Sequence, residues 1–218
     1  MLWLRLPRRG VDVSIDRASE QRTEADVCTD CKNLAPTWEK LAEDFATENG
    51  VLIAKVDCEA ANAKATAQQA GVKSYPTIHY YPKGSIEAVP YTGGRSEADL
   101  ITFMNEKAGT HRMAGGGLDT IAGTIPSLDE IVDSIRAGGN KAYADLETAA
   151  AALSDKSAEY YGKVAKKMEE NGEYAQKEAT RLQGMMKKGG LAQEKLDDLV
   201  RRSNVLSRFT SEQGKSEL

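Results

Sequence analysis

Two cysteines separated by two residues, Cys28 and Cys31 in the stretch ADVCTDCKNLAP, stand at the start of an apolar-periodic run. That spacing serves thiol–disulfide exchange, half of a zinc site, or two idle reduced thiols. At the N-terminus of a helix the unpaired N–H groups and the helix dipole favour the thiolate of the first cysteine. In the redox reading Cys28 attacks and Cys31 resolves. Zinc needs two further ligands, and only Cys58, His79 and His111 remain, none at a second Cys-X-X-Cys spacing, so a metal ranks below redox chemistry. Three cysteines are also too few for a disulfide-built scaffold, so hydrophobic packing must supply the framework. Cys58, at the end of a strand-like run, reads as a buried small apolar residue rather than a third redox thiol. No cofactor and no metal are expected.

The elements that would carry the pair follow from periodicity. CKNLAPTWEKLAEDFA sets Leu34, Trp38, Leu41 and Phe45 three and four residues apart, one apolar helical face with Pro36 inside it. VLIAKVDC (Val51 to Cys58) reads as a buried strand after Gly50, and a helix over NAKATAQQAG ends at Gly71. PTIHYYPKG reads as a strand closed by a Pro82–Gly84 turn, EAVPYTGG as another strand, and SEADLITFMNEKAG as a helix capped by Ser96. Helix, strand, helix, hairpin and helix make an α/β unit over residues 28–108.

Residues 109–126 are rich in glycine and lack apolar periodicity, the signature of a linker. Beyond it every segment is helical. PSLDEIVDSIRAGG places Ser127 and Glu130 at capping-box spacing and aligns Leu128, Ile131, Val132 and Ile135. Asn171–Gly172 and Gly189–Gly190 divide the remainder into helices carrying Tyr160, Val164 and Met168, then Leu182 and Met186, then Leu196, Leu199, Val200, Val205 and Phe209. About five helices over residues 127–211 form an all-α domain, followed by a tail, 212–218.

The 218 residues accommodate two such domains. A net charge of -4 offers no basic footprint for nucleic acid, and no apolar run reaches the roughly 18 residues of a bilayer span, which excludes membrane insertion by a helix. The start, MLWLRLPRRG, is too short in its apolar stretch and too charged for a secretory signal.

In CKNLAPTWEKLAEDF, VLIAKVDCEA, GVKSYPTIHYYPKG and YTGGRSEADLITFMNE, in that order, the sequence resembles a protein disulfide isomerase domain of the thioredoxin superfamily. The resemblance implies a mixed sheet with flanking helices, a cis Pro76 within Tyr75–Thr77 that lies against the cysteines and shapes a substrate-peptide groove, and an Arg95 that modulates the pKa of the second cysteine. The C-terminal half resembles the helical D domain that follows the last thioredoxin domain in one subfamily. Lys215-Ser216-Glu217-Leu218 looks like a variant of the Lys-Asp-Glu-Leu retrieval signal, with Ser216 departing from it. The resemblance implies the endoplasmic reticulum lumen, unfolded or misoxidised secretory clients, and glutathione or an oxidase as redox partner, with a retrieval receptor engaging Lys215 to Leu218. The alternative from another class is a chaperone or escort module with nearly inert cysteines.

Two departures qualify that picture. Family members carry Trp-Cys-Gly-His-Cys after a hydrophobic strand; here Val27-Cys28-Thr29-Asp30-Cys31 follows the charged run RASEQRTEAD. Residues 1–27 therefore read as an atypical segment, with VDVSI (Val11 to Ile15) a poor substitute for the central strand. The expected domain is an incomplete thioredoxin-like fold, from a truncated or mis-joined start or a weakened fold. Asp30 stands where the isomerases have histidine, and a carboxylate opposes the Cys28 thiolate that an imidazolium favours.

Overall fold

The computed structural model describes the backbone of residues 11–17 and, with side chains, residues 28–58, 60, 62–138 and 142–210. The chain divides into two compact units, Met1–Gly117 and Leu118–Leu218.

The first unit holds strands β1 (Val11–Arg17), β2 (Val51–Asp57), β3 (Ile78–Tyr81) and β4 (Val89–Pro90), with helices α1 (Thr29–Asp44), α2 (Lys64–Gln69) and α3 (Glu97–Ala108). The sheet order is β2-β1-β3-β4, with β1 parallel to β2 and antiparallel to β3, and β3 antiparallel to β4. This corrects the expectation of a missing central strand. Val11–Arg17 lies between β2 and β3, pairing Val13 with Ile53 on one side and with Tyr80 on the other. Residues 18–27, between this strand and Cys28, lie outside the described residues, as do the side chains of β1 and any acidic group that strand contributes.

Leu34, Trp38, Leu41 and Phe45 form the buried stripe of α1 and meet Ile78 of β3 and Leu100, Ile101 and Met104 of α3. The indole Nε1 of Trp38 donates to the carbonyl of Ala54 at 3.2 Å, fixing α1 to β2. Helix α3 starts at the Ser96 cap, whose hydroxyl and Asp99 carboxylate close a reciprocal capping box.

The second unit contains α4 (Pro126–Arg136), α5 (Ala142–Ala151), α6 (Lys156–Glu170), α7 (Tyr174–Lys187) and α8 (Gln193–Phe209), the expected helical domain. Leu128, Val132, Leu146, Tyr161, Val164, Leu182, Leu199 and Leu206 are buried together in its core. One detail differs from the sequence expectation. Ser127 and Glu130 form no capping box, because α4 begins two residues earlier with Pro126 in the first turn and Ile125 as N-cap. A proline at that position lacks the N–H that would go unpaired and presets the helical φ, which wins over a side-chain cap. The N–H of the cap residue finds a partner elsewhere: Ile125 donates to the Tyr161 hydroxyl at 3.3 Å.

Among the described residues no helix is long and apolar enough to cross a membrane.

A disulfide at the carboxyl end of the parallel strands

Topology determines which end of the sheet each candidate residue reaches. Helix α1 and strand β2 are joined by residues 45–50 and are of comparable length, about 24 Å and about 23 Å. Helix α1 therefore runs back along β2, and its N-terminus lies at the carboxyl end of β2 and of its parallel neighbour β1. Strand β3 runs the other way, with Ile78 opposite Ile15, so residues before Ile78 emerge at that same end. Strand β4 reverses again, and the Tyr91 N–H donates to the Ile78 carbonyl at 2.9 Å, which brings residues 92–96 there too. Three stretches far apart in sequence thus share one end: Cys28 and Cys31, Tyr75 to Thr77, and Arg95. In open α/β sheets that is the end where ligands bind.

Cys28 and Cys31 are joined in a disulfide, with sulfurs 2.08 Å and Cα atoms 5.3 Å apart. Cys28 is the N-cap of α1, and its Sγ accepts the backbone N–H of Cys31 at 3.2 Å. A sulfur in a cap position meets the orphan N–H groups that would hold a thiolate after reduction. Both cysteines are half-buried. Asp30 is exposed in the first turn, where its charge suits the helix dipole but lies beside the sulfur pair. Cys58 is buried and outside the disulfide.

The Tyr75–Pro76 peptide bond is cis, as the resemblance implies. Pro76 is buried while Tyr75 is 39 % exposed, and the Thr77 hydroxyl closes the turn by donating to the Ser74 carbonyl at 2.6 Å. Arg95 donates from its guanidinium to the Pro76 carbonyl at 3.3 Å.

Sequence reasoning missed a second polar centre in this unit. Arg112, in the stretch read as linker, is fully buried. It donates to Glu48 Oε1 at 2.7 Å, to the Gly116 carbonyl at 2.7 Å and to Thr47 Oγ1 at 2.8 Å. The Asn105 side chain brackets its backbone, accepting from the Arg112 N–H and donating to the Arg112 carbonyl. Beside it Asp44, the last residue of α1, is buried with Oδ2 lacking a hydrogen-bond partner.

These features define a class: a thioredoxin-type redox unit followed by a helical bundle. Residues 23–106 match the thioredoxin family, and residues 123–209 match the C-terminal domain of endoplasmic reticulum protein ERp29. The chain is 57% identical over 186 residues to protein disulfide-isomerase tigA of Aspergillus niger, covering 85% of this chain and 51% of that protein. It is 50% identical to protein disulfide-isomerase erp38 of Neurospora crassa, covering 88% and 54%, and 38% identical to protein disulfide isomerase-like 2-1 of Oryza sativa subsp. japonica, covering 84% and 52%. The chain belongs to the protein disulfide isomerase family, in the group that carries an ERp29-type helical domain. It spans about half the length of the curated relatives it matches.

Proposed function

We propose that the chain is a thiol–disulfide oxidoreductase and isomerase acting on folding secretory proteins in the endoplasmic reticulum lumen. The observation that carries this reading is the Cys28–Cys31 disulfide in the N-cap of α1, at the sheet end shared with Tyr75–Thr77. In the oxidised form a client thiolate attacks Cys28 Sγ, the Cys28–Cys31 bond breaks, and Cys31 leaves as a thiolate. A second client thiolate then attacks the client sulfur of the mixed disulfide, forming the client disulfide and releasing Cys28. The client is oxidised by two electrons, the pair is reduced, and glutathione disulfide or an oxidase restores it. In the reduced form the Cys28 thiolate attacks a misplaced client disulfide, and Cys31 resolves the mixed disulfide if no client thiol does. Tyr75, Pro76 and Thr77 form the wall against which an unfolded or misoxidised client lies. The names of the relatives support the lumenal location, and Lys215 to Leu218, outside the described residues, would serve a retrieval receptor.

Cys28→Ser should abolish insulin reduction and refolding of scrambled RNase. Equal activity in variant and parent would leave the escort reading, with inert cysteines, in its place. The exposed Asp30 carboxylate disfavours the neighbouring thiolate, so the reduced pair is held less tightly and the potential should be more reducing than the roughly -180 mV of the isomerase. Equilibration with glutathione measures it, and Asp30→His should make the pair more oxidising. A parent potential at or above the isomerase's would show that Asp30 does not tune the pair.

A further inference from the structure

We propose that the Asn49–Gly50 turn, between α1 and β2, is a site of spontaneous modification: the chain deamidates there through its own backbone, and the isoaspartate that results loosens the network around Arg112. Neither cysteine takes part, so the site holds whether or not the redox reading does.

Asparagine is a heat-labile residue, and a following glycine has no Cβ to hinder attack by its backbone nitrogen on the asparagine side chain. The sequence has two such pairs, Asn49–Gly50 and Asn171–Gly172, and all four residues are exposed. Their surroundings differ. At the end of α6 Asn171 is extended, with φ −151° and ψ 102°, which turns the Gly172 nitrogen away from the side chain. Its Oδ1 is also held, accepting the Glu173 N–H at 3.1 Å. Asn49 and Gly50 instead form the middle of a β-turn, closed by the Val51 N–H donating to the Glu48 carbonyl at 2.9 Å. Neither has a positive φ, so the turn is of type I, and the Gly50 N–H stays outside the closing bond. The Asn49 side chain has no hydrogen-bond partner among the described residues.

The chemistry needs only water. The Gly50 nitrogen, losing its proton to solvent base, attacks Asn49 Cγ; the N–Cγ bond forms, the Cγ–Nδ2 bond breaks, and ammonia leaves behind a succinimide ring. Water then opens the ring, with no change of oxidation state. Cleavage at Cγ gives aspartate. Cleavage at the backbone carbonyl carbon gives isoaspartate, whose chain runs through Cβ and is one backbone atom longer.

Position gives the product its consequence. Glu48 supplies its carbonyl to the turn and its Oε1 to Arg112 at 2.7 Å, and Thr47 accepts from the same guanidinium at 2.8 Å. Val51, after Gly50, opens the β2–β1 ladder opposite Val11. An added backbone atom between those two fixed points breaks the closing bond of the turn and sets a new carboxylate beside that of Glu48.

The test ages the full chain, carrying Trp3→Phe, at neutral pH and physiological temperature. Peptide mass spectrometry and an isoaspartyl methyltransferase assay follow the modification, and Trp38 fluorescence in urea follows the first unit. Isoaspartate should accumulate at position 49 several-fold faster than at 171. Unfolding should gain a second transition at lower urea whose share matches the modified fraction, with faster amide exchange at Val51. Gly50→Ala should slow the modification about tenfold and keep a single transition after ageing; a Cβ there meets nothing within 4 Å and its φ is not left-handed, so the variant folds. Position 49 unmodified in the aged chain, or modified no faster than 171, overturns the site. A modified chain that unfolds at the parent's midpoint overturns the link to the Arg112 network. Asn49→Asp, which adds the charge without the extra atom, should stay near the parent's midpoint; a fall as large as that of the aged chain would overturn the assignment to isoaspartate.

Discussion

Each unit of the molecule buries a charge, and the two are satisfied in opposite ways. In the first unit Arg112 is surrounded by acceptors: Glu48, Thr47 and the Gly116 carbonyl take its guanidinium, and Asn105 takes its backbone. In the second unit Asp129 is buried in α4 between a phenol and a guanidinium, the Tyr161 hydroxyl of α6 donating to Oδ1 and Arg208 of α8 lying 3.1 Å from Oδ2. An arginine cannot shed its charge in a protein, so a buried one must have its acceptors built around it. Those acceptors come from the connection between α1 and β2 and from the glycine-containing turn that follows Arg112, so the network closes a loop. Asp129 sits inside an apolar core that already holds three helices, and its partners join α4, α6 and α8 where packing has brought them together. Burial, reinforced by the bond to Asp129 and its charge, holds the Tyr161 hydroxyl well above the usual tyrosine range, so it remains a donor throughout the physiological range. One network creates order in a stretch with little apolar content; the other refines order that hydrophobic burial supplies.

That difference sets the sizes expected when each is broken. Arg112→Leu removes a cation and strands the half-buried Glu48 carboxylate and the Gly116 carbonyl, a loss of about 3–5 kcal/mol to the first unit. Trp38 is buried in the core of that unit, so in a Trp3→Phe background its fluorescence during urea unfolding reports that unit. The fluorescence midpoint should fall steeply while the helical signal of the second unit persists to the parent's midpoint. Coincident shifts of both signals would mean the units unfold together and the contrast between them is false.

Tyr161→Phe should lose less, about 1–3 kcal/mol, because it removes one donor to Asp129 and one acceptor for the Ile125 N–H while retaining the ring in the core. The effect belongs in far-ultraviolet circular dichroism, with fluorescence unmoved. A loss as large as that of Arg112→Leu would show that the buried carboxylate, and not the apolar core, holds the bundle.

Legibility in the sequence follows the same division. The stripe Leu34, Trp38, Leu41 and Phe45 is a local pattern, and all four residues are buried as it implies. Helix α5 is hard to see, since its buried face is Ala142, Leu146 and Ala150, two alanines that carry little periodic signal. The place of VDVSI at the sheet centre is set by its partners in β2 and β3, which no local window contains. Arg112 is illegible for the same reason, because Glu48 lies 64 residues away and a lone arginine among glycines reads as linker. At the site the Cys-X-X-Cys spacing is readable because the chemistry is local. The residues that share its end of the sheet, Tyr75 to Thr77 and Arg95, come forward only through resemblance, since strand order decides which loops meet there.

The smallest expected effect probes the edge of the Arg112 network. Asp44 is buried beside it, with Oδ2 unpartnered. Burial raises the Asp44 carboxyl above its ordinary value; the Gly115 and Gly116 N–H groups pull it down, and the Glu97 and Glu43 charges push it up. Between the ordinary and the raised value the folded chain therefore binds more protons than the unfolded one, so stability falls as pH rises through that window. Asn has nearly the same shape, keeps an oxygen for the glycine N–H groups, and carries no charge. Asp44→Asn should thus stabilise the first unit at pH 7 by up to about 1 kcal/mol, within what one poorly satisfied buried group costs. The gain should vanish in acid, below the ordinary carboxylate value of about 3.9, where the parent is protonated in both states. Fluorescence-detected urea midpoints of parent and variant at both pH values measure this. A variant less stable than the parent at pH 7 would mean that the ionised carboxylate is a working member of the network, and that this loop is closed by two buried charges of opposite sign.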